Sequence, residues 1–204
     1  MRKIVEERKI DMLIHFTQAD NLESILRHGI IPISEHKHKG IKAMKNDSYR
    51  LDFCENATSI SIDFPNYKLF YKFRMKDTSI NWVILALEPS ILWEKQCIFC
   101  PDNAANSNVS LRTIQERMGR EAMLQMFAEH PNKPSRSVLG IPDACPTNPQ
   151  AEVLVNGTIE TKYIGGVAFQ NKTTLDRFTE VIPSNIPTAI VEGFFDARKD
   201  FNYW

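Results

Sequence analysis

The stretch Trp82-Val83-Ile84-Leu85-Ala86-Leu87, bounded by Asn81 and by Glu88-Pro89, is the feature that most limits how this chain folds. It is apolar without alternation, so as a strand it needs cover on both faces. It is also far below the roughly 18–20 apolar residues that cross a bilayer. Together these predict a strand near the centre of a packed core and no membrane span. With 43% hydrophobic and 25% charged residues over 204 positions, the chain suits one globular domain spanning 1–204.

Other elements follow from local patterns. Residues 12–17 form a short apolar run that reads as a strand, followed by the polar turn Gln18-Ala19-Asp20. A helix is expected over 21–28, with Asp20 as N-cap, Glu23 at its third position and Gly29 as its stop. Residues 57–62 alternate polar and apolar and read as a half-buried strand. Pro65 fits an early helix position, and 66–74 carries Tyr67, Leu69, Phe70, Tyr71 and Phe73, a short amphipathic helix with most rings in the core. Over 111–128, Leu111, Ile114, Met118, Ala122, Met126 and Phe127 recur at helical spacing, predicting one long helix whose methionines are core packing.

Residues 131–149 hold Pro131, Pro134, Pro142, Pro146 and Pro149 without a hydrophobic period, and predict a long ordered loop. It runs into Gln150-Ala151-Glu152-Val153-Leu154-Val155, where apolar residues resume as a strand before an Asn156-Gly157 turn. Glu152 therefore stands where a loop meets a strand. No internal repeat or linker is evident.

Charge and cysteines narrow the chemistry less. Lys plus Arg and Asp plus Glu are both 25, so net charge neither favours nor excludes nucleic acid. Locally, Lys37, Lys39, Lys42, Lys45 and Arg50 face one acid, Asp47, which suits phosphate contact as well as a solvated loop. Cys97 and Cys100 have the spacing of a metal or redox pair, but one such pair with Cys54 and Cys145 elsewhere predicts reduced, partly buried thiols and no metal site. The N-terminus lacks a secretory apolar stretch, so a cytoplasmic location is expected.

Four blocks together carry a family likeness: His15-Phe-Thr17 leading into Asp20-Asn-Leu-Glu-Ser-Ile-Leu and Gly29-Ile; residues 58–72; Asn148-Pro-Gln-Ala-Glu-Val-Leu-Val; and Ala197-Arg-Lys-Asp-Phe201. In this order the chain resembles DarT DNA ADP-ribosyltransferases, the toxins of DarT/DarG toxin–antitoxin pairs, and the likeness spans nearly its whole length. The block around Phe64-Pro-Asn-Tyr67-Lys is more similar to the guanine-modifying subtype than to the thymine-modifying one.

The resemblance implies an α+β ADP-ribosyltransferase fold, two packed sheets with an NAD⁺-binding cleft between them. It also implies NAD⁺ as a consumed substrate, single-stranded DNA as acceptor, a DarG-type macrodomain antitoxin and a role in phage defence. Breaking the nicotinamide–ribose bond builds an oxocarbenium-like sugar, which a fixed carboxylate stabilises. Glu152 matches the family's catalytic glutamate, with Arg50 and His15 beside it. His15, Thr17, Asn21, Arg50 and Tyr67 are expected to contact NAD⁺, with Phe64 and Tyr71 as rivals of Tyr67 for stacking on nicotinamide. Gln150, Lys133, Arg136, Lys42 and Lys45 are expected to hold the DNA strand, Gln150 from the same strand face as Glu152.

Two other readings use the same residues. The carboxylate chemistry serves an NAD⁺ glycohydrolase, or a transferase acting on RNA or protein, equally well. A nucleic-acid-binding domain of this fold without turnover is the non-enzymatic alternative.

Overall fold

The computed structural model describes residues 1–36, 38, 40 and 56–204. Among these, seven strands form one mixed sheet: β1 (Leu13–Gln18), β2 (Ala57–Ile62), β3 (Trp82–Leu87), β4 (Cys97–Cys100), β5 (Glu152–Asn156), β6 (Ile164–Phe169) and β7 (Thr188–Ile190). Their spatial order is β4-β5-β2-β1-β3-β6-β7, with every neighbouring pair antiparallel except β6 and β7. Around them lie helices α1 (Arg2–Arg8), α2 (Leu22–His28), α3 (Ile33–His36), α4 (Tyr67–Lys76), α5 (Ile91–Glu94), α6 (Ser107–Ser110), α7 (Gly119–Gln125) and α8 (Lys172–Phe178). No helix among the described residues is long and apolar enough to cross a membrane.

β3 is central, and its lack of alternation has a direct cause. Val83, Leu85 and Leu87 enter the larger core with Leu13, Ile62 and Phe169. Trp82 and Ile84 point the other way, into a second core with Ile14, Phe70 and Phe195. In that second core Phe16 stacks on Phe70 at 4.5 Å between ring centroids and Phe73 on Trp82 at 6.2 Å. α4 supplies Phe70 and Phe73, while its Tyr71 stays 57% exposed. Burying an aromatic of this size contributes about 1.5–3 kcal/mol relative to exposure.

The two sheets implied by the family take the form of two halves of this one sheet. β1 runs against β3 along its full length, from Leu13↔Leu87 to Gln18↔Trp82. Against β2 it pairs only at Leu13↔Ile62 and Ile14↔Ser61. Beyond those rungs the strands part, and β2 continues with β5 from Ile60↔Val153 to Ala57↔Asn156. The halves β4-β5-β2 and β1-β3-β6-β7 thus diverge from a short seam, and their inner edges face each other across it.

Two expectations need correction. The helix over 111–128 is broken: Gly119 has φ of +80°, Met118 is extended, and α7 begins only at Gly119. Upstream, Gln115–Arg117 form a 3-10 turn, with Leu111 84% and Ile114 44% exposed. The apolar period was real only in its second half, where Ala122, Met123, Met126 and Phe127 are core. Asp20 is not an N-cap, because Ala19–Asn21 form a 3-10 turn leading into α2, and the Asn21 amide turns inward to donate to Thr17 Oγ1 at 3.0 Å.

Candidate active site

Glu152 opens β5 and is 5% exposed. A buried carboxylate needs donors, and among the described residues three neutral side chains donate to it from three elements. Ser59 on β2 donates its hydroxyl to Oε2 at 2.8 Å. Asn66, the residue that caps α4, donates its amide to Oε1 at 3.2 Å. Asn103, in the loop after β4, donates to the same oxygen at 3.1 Å.

The position of each donor follows from its local structure. Ser59 and Ser61 lie on the opposite side of β2 from Ile60 and Ile62, which fill the larger core. Ser61 accepts the backbone N–H of Asn66 at 3.1 Å, which fixes the start of α4. Cys100 is the ladder partner of Glu152, so the chain leaving β4 reaches Asn103 beside the carboxylate.

His15 meets this group across the seam. Its ring nitrogen Nδ1 lies 3.0 Å from the Ser59 carbonyl oxygen, where the β1–β2 ladder has already ended. A carbonyl only accepts, so Nδ1 carries the proton. Burial pushes the His15 pKa down, against the smaller opposing effect of the Ser59 bond. The ring is therefore neutral near pH 7, and Nε2 is an acceptor. Thr17, on the same strand face, is buried and receives the Asn21 amide.

The remaining expected residues are placed as follows. Tyr67 opens α4 and is buried, its hydroxyl without a hydrogen-bond partner among the described residues, and burial raises its pKa. Phe64 packs edge-on against Phe194 at 6.0 Å. Gln150 lies in a turn closed by Ala151 N–H on the Asn148 carbonyl, so it does not share an extended face with Glu152. Lys133 sits over the Trp204 ring at 5.4 Å. The Arg136 guanidinium is committed to its own loop, donating to Thr147 Oγ1 and to the carbonyls of Pro142 and Cys145 at 2.8–2.9 Å. Arg50, Lys42 and Lys45, with Lys37, Lys39 and Cys54, lie outside the described residues.

The proline-rich segment is ordered, as expected, and its anchor comes from the C-terminus. Arg198 donates to the carbonyls of Pro146 and Thr147 at 2.7 Å and pairs with Asp200 at 2.6 Å, all buried. Thr147 N–H also reaches the Met126 carbonyl at 2.9 Å. These contacts fix the loop just before Glu152.

The cysteine pair is not a chelate. Cys97 faces the larger core and Cys100 the opposite side of β4, with Ile98 and Leu154. Among the described residues no group of three His, Cys, Asp or Glu could hold a metal ion.

The Glu152 carboxylate and the His15 ring thus meet on one residue, Ser59, at the seam of a split sheet. A family model described as DarT, ssDNA thymidine ADP-ribosyltransferase, matches residues 14–195. The chain belongs to the DarT family. Solved DarT structures share its fold. Thermosipho africanus DarTG in complex with ADP-ribose aligns with a TM-score of 0.62 at 18% identity, over 91% of this chain and 51% of that one. This chain thus spans about half the length of that DarTG chain. Thermus sp. 2.9 DarT in complex with carba-NAD⁺ aligns with a TM-score of 0.60 at 14% identity, over 92% and 99% of the two chains. The same DarT in complex with ADP-ribosylated ssDNA gives 0.55 at 12% identity, over 92% and 97%. A search of curated proteins gave no match.

Ser59, Asn66 and Asn103 were not among the expected site residues. Strand alternation marks Ser59 as facing away from the main core, and Asn66 before an aromatic-rich helix has the signature of a cap. Asn103 carries no such signal in a polar loop.

Proposed function

We propose that residues 1–204 form one ADP-ribosyltransferase unit that moves ADP-ribose from NAD⁺ to a base in single-stranded DNA, acting in the cytoplasm as the toxin of a DarT/DarG pair. The observation that carries this reading is the Glu152 carboxylate, buried at the β1–β2 seam and held by Ser59, Asn66 and Asn103.

The residues present fit NAD⁺ as a substrate. When bound, NAD⁺ supplies a nicotinamide–ribose bond whose breakage leaves positive charge on the sugar. Glu152 places a fixed negative charge at the seam, stabilising that cation and taking the proton that the attacking base releases. His15 Nε2, an acceptor in the neutral ring, orients a ribose hydroxyl. Thr17 on β1 and Asn21 in the turn after it, joined by a hydrogen bond, are proposed to line the NAD⁺ side beside His15, while Tyr67 and Arg50 are proposed for the nicotinamide and pyrophosphate side. Gln150, Lys133, Lys42 and Lys45 are proposed to steer the strand, with Arg136 supporting the loop that carries Lys133. An unpaired base reaches the sugar without the cost of extrusion from a duplex, which favours single strands.

Thymidine is the base in the family description, whereas the Phe64–Lys68 block resembles the guanine-modifying subtype. Incubation with NAD⁺ and single-stranded oligonucleotides containing only one of these bases separates them by mass. The expected result is an ADP-ribose adduct on one oligonucleotide with release of nicotinamide. Nicotinamide without DNA adduct makes the protein a glycohydrolase, and the absence of both products overturns the enzymatic reading. A DarG-type macrodomain is the expected antitoxin, tested by whether its co-expression relieves toxicity.

A further inference from the structure

Two asparagines beside Glu152 share an arrangement that hydrogen-bond chemistry makes unambiguous. Asn103 Oδ1 accepts the Ala105 backbone N–H at 2.9 Å while its Nδ2 donates to Glu152 Oε1 at 3.1 Å. Asn66 Oδ1 accepts the Leu69 backbone N–H at 3.2 Å while its Nδ2 donates to the same Oε1 at 3.2 Å. A backbone N–H cannot become an acceptor. Turning either amide over would set donor against donor at the backbone and oxygen against oxygen at the carboxylate. Each backbone N–H therefore fixes which end of the amide faces Glu152.

Each lock is itself anchored. Asn66 N–H is held by Ser61 Oγ, and Asn103 N–H by Asp102 Oδ1 at 2.7 Å. Asp102 also receives the Asn106 amide at 2.9 Å, so the loop after β4 is braced from both sides.

We propose that Asn66 and Asn103 are positioning residues for Glu152, two backbone-locked amides that clamp Oε1 and hold the side chain as a carboxylate aimed at the reacting sugar. Because both donors are neutral, they fix the carboxylate without cancelling its charge. The inference rests on Glu152 being the acid of an ADP-ribosyltransferase. It adds that α4 and the loop after β4, elements on two sides of β5, set where that acid points.

The decisive change is Asn→Asp at either position. Aspartate keeps the oxygen that accepts the backbone N–H, and remains a good cap for α4, so the lock survives and only the donor is lost. A second carboxylate then faces Glu152, disfavouring its charged form. Among the described residues, other titratable or charged groups around Glu152 are His15 through Ser59, Cys100 across the ladder with the Arg117 guanidinium on its sulfur, Asp102 bonded to the Asn103 N–H, and Tyr67 and Lys68 after Asn66.

The experiment follows the Glu152 carboxyl carbon by ¹³C NMR across pH in the full chain, its signal assigned by its loss in Glu152→Gln. Asn66→Asp and Asn103→Asp are each expected to raise the Glu152 titration by about one pH unit or more. Asn66→Ala and Asn103→Ala are expected to shift it less. With NAD⁺ and single-stranded DNA, each Asp variant is expected to lose about 10- to 100-fold in kcat, as when an outer partner of a fixed functional group is removed. KM for NAD⁺ should change by less than about threefold, and the acid limb of the kcat profile should move with the NMR titration. A Glu152 titration unchanged in both Asp variants, in proteins that still melt cooperatively, overturns the proposal whatever the turnover. Absence of wild-type turnover overturns the parent reading instead, and leaves the titration to decide the clamp. If Asn103→Asp fails to fold, Asn66→Asp carries the same decision.

Discussion

His15 and Glu152 hold one residue between them, the imidazole through the Ser59 carbonyl at 3.0 Å and the carboxylate through the Ser59 hydroxyl at 2.8 Å. Residues far apart in sequence are thus set by a single residue of β2. Displacing that residue moves both.

The two bonds separate by mutation. Ser59→Ala keeps the carbonyl for His15 and removes the hydroxyl from Glu152, a loss of about 1–3 kcal/mol for a buried group left short of a partner. Glu152→Gln removes the charge itself and is expected to lower the rate about 10²- to 10⁴-fold, or roughly 3–5 kcal/mol. Nicotinamide release and DNA adduct formation measure both, and Ser59→Ala is expected to retain more activity than Glu152→Gln. The reverse order would remove Glu152 from the chemistry.

His15 also links stability to pH. Burial depresses its folded-state pKa below the ordinary value of 6.5. The unfolded chain therefore takes up a proton first as pH falls, and the contribution present above about pH 6.5 is lost below it, with a slope of at most about 1.4 kcal/mol per pH unit. Melting curves at pH 7.5 and 5.5 should show a smaller drop for His15→Gln than for wild type. An equal drop would mean the ring is protonated where it stands.

Arg198 is expected to be the most sensitive charged position outside the site. Removing it, as in Arg198→Met, leaves Asp200 buried without its charged partner, at an expected cost of about 3–5 kcal/mol in urea unfolding. Burial pushes the Asp200 pKa up, but the Arg198 guanidinium together with the Trp204 and backbone hydrogen bonds brings the net shift downward. That stability is present above the usual aspartate range and fades as pH falls below it. Replacing both partners with apolar residues should recover part of the loss.

Gly29 tests the backbone. It ends α2 with φ of +81°, and a Cβ there would lie 2.4 Å from the Ile159 carbonyl oxygen. Gly29→Ala is expected to cost about 1–3 kcal/mol for the dihedral alone, with the clash in addition. Chemical denaturation reads this directly, and a neutral result would refute the close approach.

The thiols of Cys97, Cys100 and Cys145 should be silent in the folded state. Burial raises Cys97 and Cys145 to about 12, and Cys100 is fully buried. Iodoacetamide at pH 8 is expected to leave these three unlabelled until denaturant is added. Labelling of Cys97 in the native protein would contradict its place in the core.

Much of the scaffold was legible because its signals are local. Residues 57–62 form β2 at the predicted bounds, the unalternating run is β3, and the strand after the proline segment begins at Glu152. The helix over 111–128 failed because periodicity says nothing of one glycine at positive φ, and Gly119 is enough to stop it. β4 went unread, since Cys97-Ile98-Phe99-Cys100 is short and its cysteines suggested chemistry before packing. At the site, Glu152 and His15 were named through the family likeness, but Asn103 was invisible. Its part depends on a loop folding back across the β4–β5 ladder, which no spacing in the sequence encodes.

The seam between β1 and β2 has a consequence for how such a protein changes over time. The acid rides on one half of the sheet and the histidine on the other, and beyond Ile14↔Ser61 the two halves share no register. A substitution can tilt one wall of the cleft without re-indexing the strands of the opposite wall. Width and reach are thus free to drift separately from the reacting pair, so long as a serine at the hinge keeps both in touch.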